Sequence, residues 1–263
     1  MTCMNQIHKI QYDMLVELDQ ICRKHGLTYY LAYGTCLGAV RHKGFIPWDH
    51  DVDVLMSYQD SVELEKYQDE FSDNYFISSR RTDKTNKTIK SIIIDKNIKC
   101  REVRNGVVIN DDARIGLDIY PFYNCPKSKS ELLFNIWRSH ILKMLVGGAP
   151  ENHGNAAKLF GKAVIALFGG KEKEKRIEKL QKQLCYTGPS DEIADYYGLD
   201  VKACSAITYN KEWFGTPKEI LFEGRMFYAP ANAHAYLTKR YGDYMTPTSK
   251  KGRENEIVLE IIQ

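Results

Sequence analysis

No two cysteines in this chain stand in C-x-x-C spacing. The seven, Cys3, Cys22, Cys36, Cys100, Cys125, Cys185 and Cys204, are scattered and odd in number. That pattern argues against a zinc ribbon and a disulfide framework, and a reducing cytosol is the expected compartment. An uninterrupted apolar run of about 20 residues is also missing. The nearest stretch, "LLFNIWRSHILKMLVGG", is interrupted by Arg138, His140 and Lys143, and no transmembrane segment is expected. The opening "MTCMNQIHKIQYDMLVELDQ" has no apolar core of the kind a signal peptide needs. A net charge of only +3 is too small to argue for nucleic acid as a general ligand, though a few bases can still meet a phosphate. Several catalytic signatures are absent: G-x-x-x-x-G-K-[ST], H-E-x-x-H, G-x-S-x-G and G-x-G-x-x-G. The seven histidines are isolated from one another.

At 263 residues, 43% hydrophobic and 27% charged, the chain has the composition of a soluble globular protein with a sizeable core. Residues 5–25 predict an amphipathic helix, with Ile7, Ile10, Met14, Leu18 and Ile21 at helical spacing and Gly26 as its C-cap. "LTYYLAY" predicts a strand ending at Gly34-Thr35, "CLGAVRH" a short helix or turn, and "DVDVLM" a second strand. Ser57 is placed to N-cap a helix over roughly 60–71. Five β-like runs follow: "YFISS", "SIIID", "KCREVR", "GVVIN" and "GLDIYPF". From about 128 to 200 the pattern turns helical. "KEKEKRIEKLQKQL" predicts a helix with a solvated charged face, and "AAKLFGKAVIALFGG" one packed on the core, with a membrane surface as the alternative. A helix followed by clustered strands predicts an α+β fold built on a mixed sheet. One domain over 1–263 is expected, with a core at about 1–125, a mostly helical part at 126–200 and a strand-and-helix part at 201–263.

The chemistry is concentrated in "YGTCLGAVRHKGFIPWDHDVDV". Asp51 and Asp53 alternate with valines, so in a strand both carboxylates share one face. Two such charges among apolar neighbours are costly unless a cation lies between them. Magnesium suits this role, because it takes oxygen ligands and commonly uses one or two carboxylates plus substrate phosphates. Asp118, flanked by Leu117 and Ile119, is a third candidate, as a ligand or as the base for an attacking hydroxyl. A calcium loop fits poorly, because Val54 occupies the glycine position and Asp60 the glutamate position. Gly34-Thr35 allows close backbone approach and amides for an anion, while Arg41 and Lys43 add positive charge nearby. Together these features predict phosphoryl-transfer chemistry.

This stretch resembles the signature of the LicD family, which includes fukutin and fukutin-related protein, within the nucleotidyltransferase-like superfamily. "LDIYPF" and "YLTKRYGDYMTP" are similar to two further elements of that family. The resemblance implies a magnesium-dependent (or manganese-dependent) phosphotransferase. It would move phosphocholine or a phospho-alditol from a CDP-alcohol to a hydroxyl of a glycan or lipid-linked glycan, such as lipopolysaccharide or teichoic acid. It further implies a nucleotidyltransferase-like fold. From the residues themselves a cytoplasmic protein with no nucleic-acid partner is expected, with peripheral membrane contact as the alternative for the helix over 156–170. Asp51, Asp53 and Asp118 would be the catalytic and metal-holding carboxylates. Gly34 and Thr35 would face the phosphates, with Arg41, Asp49 and His50 beside the substrate. Two departures are visible. His50 stands where many bacterial members carry another aspartate, and Arg253 is not followed by the histidine expected after it. The same site would serve nucleotidyl transfer from an NTP, and a catalytically inert nucleotide-binding module is the third reading. Tyr236, Tyr241 and Tyr244 are expected to pack a helix end on the core, the alternative being a donor-alcohol pocket lined by their rings.

Overall fold

A computed structural model describes residues 5–149, 154–200, 205–246 and 257–262. Arg253 lies outside them. The chain forms two compact units, one of Met1–Ile77, Ile92–Tyr120 and Glu212–Gln263, the other of Ser78–Ser91 and Pro121–Lys211.

The first unit opens with helix α1 (Gln6–His25), capped by the Asn5 side chain and ended by Gly26. The helix buries Met14, Leu15, Leu18, Ile21 and Cys22, but toward its start the buried face passes through His8 and Gln11, not Ile7 and Ile10. Strand β1 (Tyr29–Leu31) is shorter than its sequence suggests, because helix α2 (Tyr33–His42) begins almost at once. Gly34 and Thr35 therefore lie in the first turn of a helix and do not end a strand. Strand β2 (Asp53–Ser57) pairs antiparallel with β1, Leu31 opposite Val54. Ser57 then caps helix α3 (Tyr58–Leu64), accepting from the Asp60 amide at 3.0 Å, and a 3-10 turn (Glu65–Glu70) follows.

After β3 (Tyr75–Ser78), the remaining β-like runs merge into two long strands, β4 (Ser91–Arg104) and β5 (Val107–Asn124). Asn105 and Gly106 join them with φ of 51° and 76°, the paired left-handed conformations that an Asn-Gly hairpin turn requires. The strand order in this unit is β1-β2-β5-β4-β10, with β10 (Ile257–Ile261) along the far end of β4 and β3 also on β4. Hairpin β8 (Lys218–Phe222) and β9 (Arg225–Ala229) leads into helix α7 (Ala233–Tyr241). The expected α+β class holds.

The second unit contains helices α4 (Lys129–Gly147), α5 (Asn155–Phe168) and α6 (Lys173–Leu184). Helix α6 buries Ile177, Gln181 and Leu184 and turns most of its charged residues to solvent, as its sequence predicts. The helical part stops at Leu184, short of residue 200. Glu192–Asp200 is instead strand β6, which pairs antiparallel with β7 (Ser205–Asn210) and with the end of β5 at Tyr123 and Asn124. Ile193, Ala194, Asp195 and Tyr196 are all buried, so the strand shows no alternation to identify it. Among the described residues, no helix is long and apolar enough to cross a membrane.

Candidate active site

The acidic-x-acidic run enters the middle of the sheet. The carbonyl of Val52 accepts from the Asp118 amide at 2.8 Å, and that of Asp53 accepts from Ala32 at 3.0 Å on the opposite side. Carbonyls taken alternately from two sides are the mark of an extended chain between two neighbours. The bond to Val52 sets the backbone of Asp118, on β5, beside the residue that separates Asp51 from Asp53. Asp53 is only 5% exposed, while Asp51 and Asp118 are half-buried, and the Tyr120 hydroxyl donates to Asp118 Oδ2 at 3.2 Å. A carboxylate as buried as Asp53, with other acids close by, favours a cation in its surroundings.

Helix α2 supports this arrangement from the β1 side. Because β1 ends at Leu31, no strand residue meets the Asp53 amide, and Thr35 Oγ1 accepts from it at 2.8 Å. Ala32 gives the helix no side-chain cap, and the first turn of a helix is where anions commonly find amide donors. Gly34 lets Asp49 come close: a Cβ there would lie 2.4 Å from Asp49 Oδ2. The Asp49-His50 segment is braced from α1. His8 Nε2 meets the Asp49 carbonyl at 2.7 Å, and Gln11 Nε2 donates to the carbonyls of His50 (2.8 Å) and Gly116 (3.1 Å). His8 itself stacks on Phe45 at 4.1 Å.

An aromatic and basic rim completes the unit. Tyr33 takes a φ of 41°, a strained value for a non-glycine residue. Its amide donates to the Tyr236 hydroxyl at 3.0 Å, its ring meets Tyr120 edge-on at 4.9 Å, and the Arg240 guanidinium lies 4.5 Å from the ring centre. Tyr236 and Tyr244 are buried, as expected of a helix end packed on the core, but Tyr241 is 43% exposed. Its hydroxyl is nevertheless pushed up to about 12, by desolvation first and then by the negative charge of Asp53 and Asp49, with Arg240 opposing. Arg41 does not turn to the carboxylates: its Nε donates to His42 Nε2 at 3.0 Å and its Nη1 to the Tyr244 carbonyl at 3.1 Å. Burial lowers the Arg41 guanidinium, and burial together with Arg41 lowers His42. Lys43 is exposed at the end of α2.

The donor set of Asp51, Asp53 and Asp118 is all oxygen, the chemistry that a hard divalent cation prefers. Among the described residues no three His, Cys, Asp or Glu side chains already converge as a metal cage. A magnesium site does not need one, because one or two carboxylates suffice when phosphates and water fill the remaining positions. The sequence reading passed over His8, Gln11, Tyr33, Tyr120 and Arg240. The first two had a signal of a kind, as polar residues at core spacing on an otherwise apolar helix face.

Residues 26–143 match the family model described as LicD/FKTN/FKRP, nucleotidyltransferase domain. The chain is 28% identical over 240 residues to the lipopolysaccharide cholinephosphotransferase LicD of Haemophilus influenzae, a match covering 86% of this chain and 84% of that protein. It is also 28% identical over 102 residues to an uncharacterized protein of Rickettsia prowazekii, covering 38% of each. A protein of Rickettsia typhi, likewise uncharacterized, is 32% identical over 60 residues, covering 23% of this chain and 19% of its own.

Proposed function

The chain belongs to the LicD family through its domain at residues 26–143, and from that premise we propose that it transfers a phospho-alcohol, phosphocholine first among the candidates, from a CDP-activated donor to a glycan hydroxyl. The observation that carries the reading is the 2.8 Å bond from the Asp118 amide to the Val52 carbonyl, which sets the Asp118 backbone beside the segment that bears Asp51 and Asp53. Similarity to a lipopolysaccharide cholinephosphotransferase over most of both chains supports the choice of group and a lipopolysaccharide-like acceptor.

In this reading the donor diphosphate lies against the first turn of α2, near Gly34 and Thr35. Asp51 and Asp53 would hold a magnesium ion, which would supply charge neutralisation at the phosphates. Asp53 is held by Thr35 through its amide, and Asp49 is held by the α1 brace, so the acidic groups are in place before substrate arrives. Asp118 accepts the proton of the acceptor hydroxyl. The new bond joins the acceptor oxygen to the phosphorus that carries the alcohol. The bond broken is from that phosphorus to the oxygen bridging to the nucleotide, so CMP leaves. Pre-set charge and positioning supply most of the rate in such transfers.

The first test is the melting temperature with CDP-choline, CDP-ribitol, CDP-glycerol, CTP and ATP, each with and without magnesium. A ligand at about a hundred times its Kd adds about 2.7 kcal/mol of stability. A magnesium-dependent rise with one CDP-alcohol, and CMP release that Asp53→Asn abolishes, is the expected result. A rise with CTP or ATP alone, with pyrophosphate released, would replace this reading with nucleotidyl transfer. Unchanged turnover in Asp53→Asn would overturn both.

A further inference from the structure

Helix α5 is apolar on more sides than a globular protein can use. Its inner side buries Gly161 and Val164. The opposite side exposes Leu159 (71%), Phe160 (50%) and Leu167 (74%), where the sequence predicts a helix packed on the core. The neighbouring helix α4 extends this surface with Phe134 (64% exposed) and Trp137 (50%), and the Trp137 and Phe160 rings meet edge to face at 6.4 Å. Helix α5 has no acidic residue, and Lys158 and Lys162 fall at one border of its exposed apolar stripe. Residues 154–185 carry eight Lys and Arg against three Glu, an excess of five where the whole chain has only three.

We propose that this α4–α5 face seats the second unit on an anionic lipid bilayer. An apolar, aromatic stripe bordered by lysines is the arrangement of an interfacial helix: rings and leucines enter the boundary of the acyl region while ammonium groups reach the headgroups. The indole of Trp137 suits the same depth. Charge decides against a second copy of the chain as the occupant. A two-fold contact through this face would bring Lys158 and Lys162 of both copies together with no acid on α5 to pair them, whereas an anionic surface neutralises them. The inference does not depend on the proposed transfer reaction, although it would bring such an enzyme to a lipid-linked acceptor.

The test is sedimentation of the purified full chain with vesicles, in the absence of any donor. The vesicles are of phosphatidylcholine, alone or with about one-third phosphatidylglycerol. Binding to the anionic vesicles is expected, weakened by salt and about tenfold by Leu159→Ser with Phe160→Ser. Lys158→Gln and Lys162→Gln should each weaken it about fivefold. Because Leu159 and Lys162 are exposed and Lys158 and Phe160 only partly covered, the melting temperatures should stay close to the wild-type value. Brominated lipid should also quench tryptophan fluorescence in the wild type and do so less in Trp137→Phe, a readout that survives if the serine variants fold poorly. No pelleting with anionic vesicles, or pelleting and quenching that ignore all of these substitutions, would overturn the proposal. So would a dimer in light scattering that Trp137→Phe or the serine pair dissociates, without vesicle binding.

Discussion

Thr35→Val tests the link between helix α2 and the carboxylates most directly. Valine keeps the shape of threonine and removes only the hydroxyl, which accepts from the Asp53 amide at 2.8 Å. Both residues are buried, at 4% and 5% exposure, so water cannot replace the lost acceptor. A buried donor left unsatisfied costs about 1–3 kcal/mol. For a chain of this size, each kcal/mol corresponds to about 2–4 °C, so the melting temperature should fall by about 2–12 °C. Thr35→Ser retains the oxygen and should lie much closer to the wild type. The same amide bond positions the Asp53 backbone, so Thr35→Val should also slow turnover at saturating donor, which a purely remote stability defect would not do. Thermal and urea unfolding measure the first effect, and CMP release well below the variant's melting temperature measures the second. A valine variant that melts within about 1 °C of wild type and turns over normally would refute the reasoning.

Gly34→Ala should separate stability from function in the opposite sense. The new Cβ meets the end of the Asp49 side chain at 2.4 Å, and a side-chain terminus can swing away at small cost. Melting should change little, while turnover falls about tenfold or more as Asp49 leaves its position; normal turnover would exclude Asp49 from the site. Lys143 offers a test by pH. Burial lowers its ammonium from 10.5 to about 8, against the pull of Asp195, while its Nζ donates to the Tyr197 carbonyl at 3.0 Å. Between about pH 8 and 10.5 the unfolded chain holds this proton more firmly than the folded one, so folding stability should rise with pH through that window. Urea midpoints of wild type and Lys143→Met across it should converge or cross in the wild type's favour; a difference independent of pH would refute the assignment.

Much of the first unit was legible because its signals are local. Helix α1, its Gly26 cap and the Ser57 cap of α3 depend on periodicity and on side chains that bond amides three residues away. The acidic-x-acidic run and Asp118 stood out as charges among β-branched neighbours. The β4–β5 hairpin was read only in pieces: polar residues broke each long strand, and the Asn105-Gly106 turn that joins them was passed over. Strand β6 gave no alternation, because Ile193 through Tyr196 are all buried.

What the sequence by itself determined is the chemistry available: three acids, a Gly-Thr pair and a helix-to-strand order that suits phosphate. Tertiary structure alone decided which strands are neighbours, and with them that Asp118 meets Val52 across some 65 residues of intervening chain. It also turned His8 and Gln11 inward to hold the Asp49-His50 segment, turned Arg41 toward Tyr244, and chose which apolar side of α5 faces out. The division follows from range. Propensity and capping act over a few residues and can be read along the chain, whereas burial and strand pairing depend on partners distant in sequence, and only the folded chain selects them.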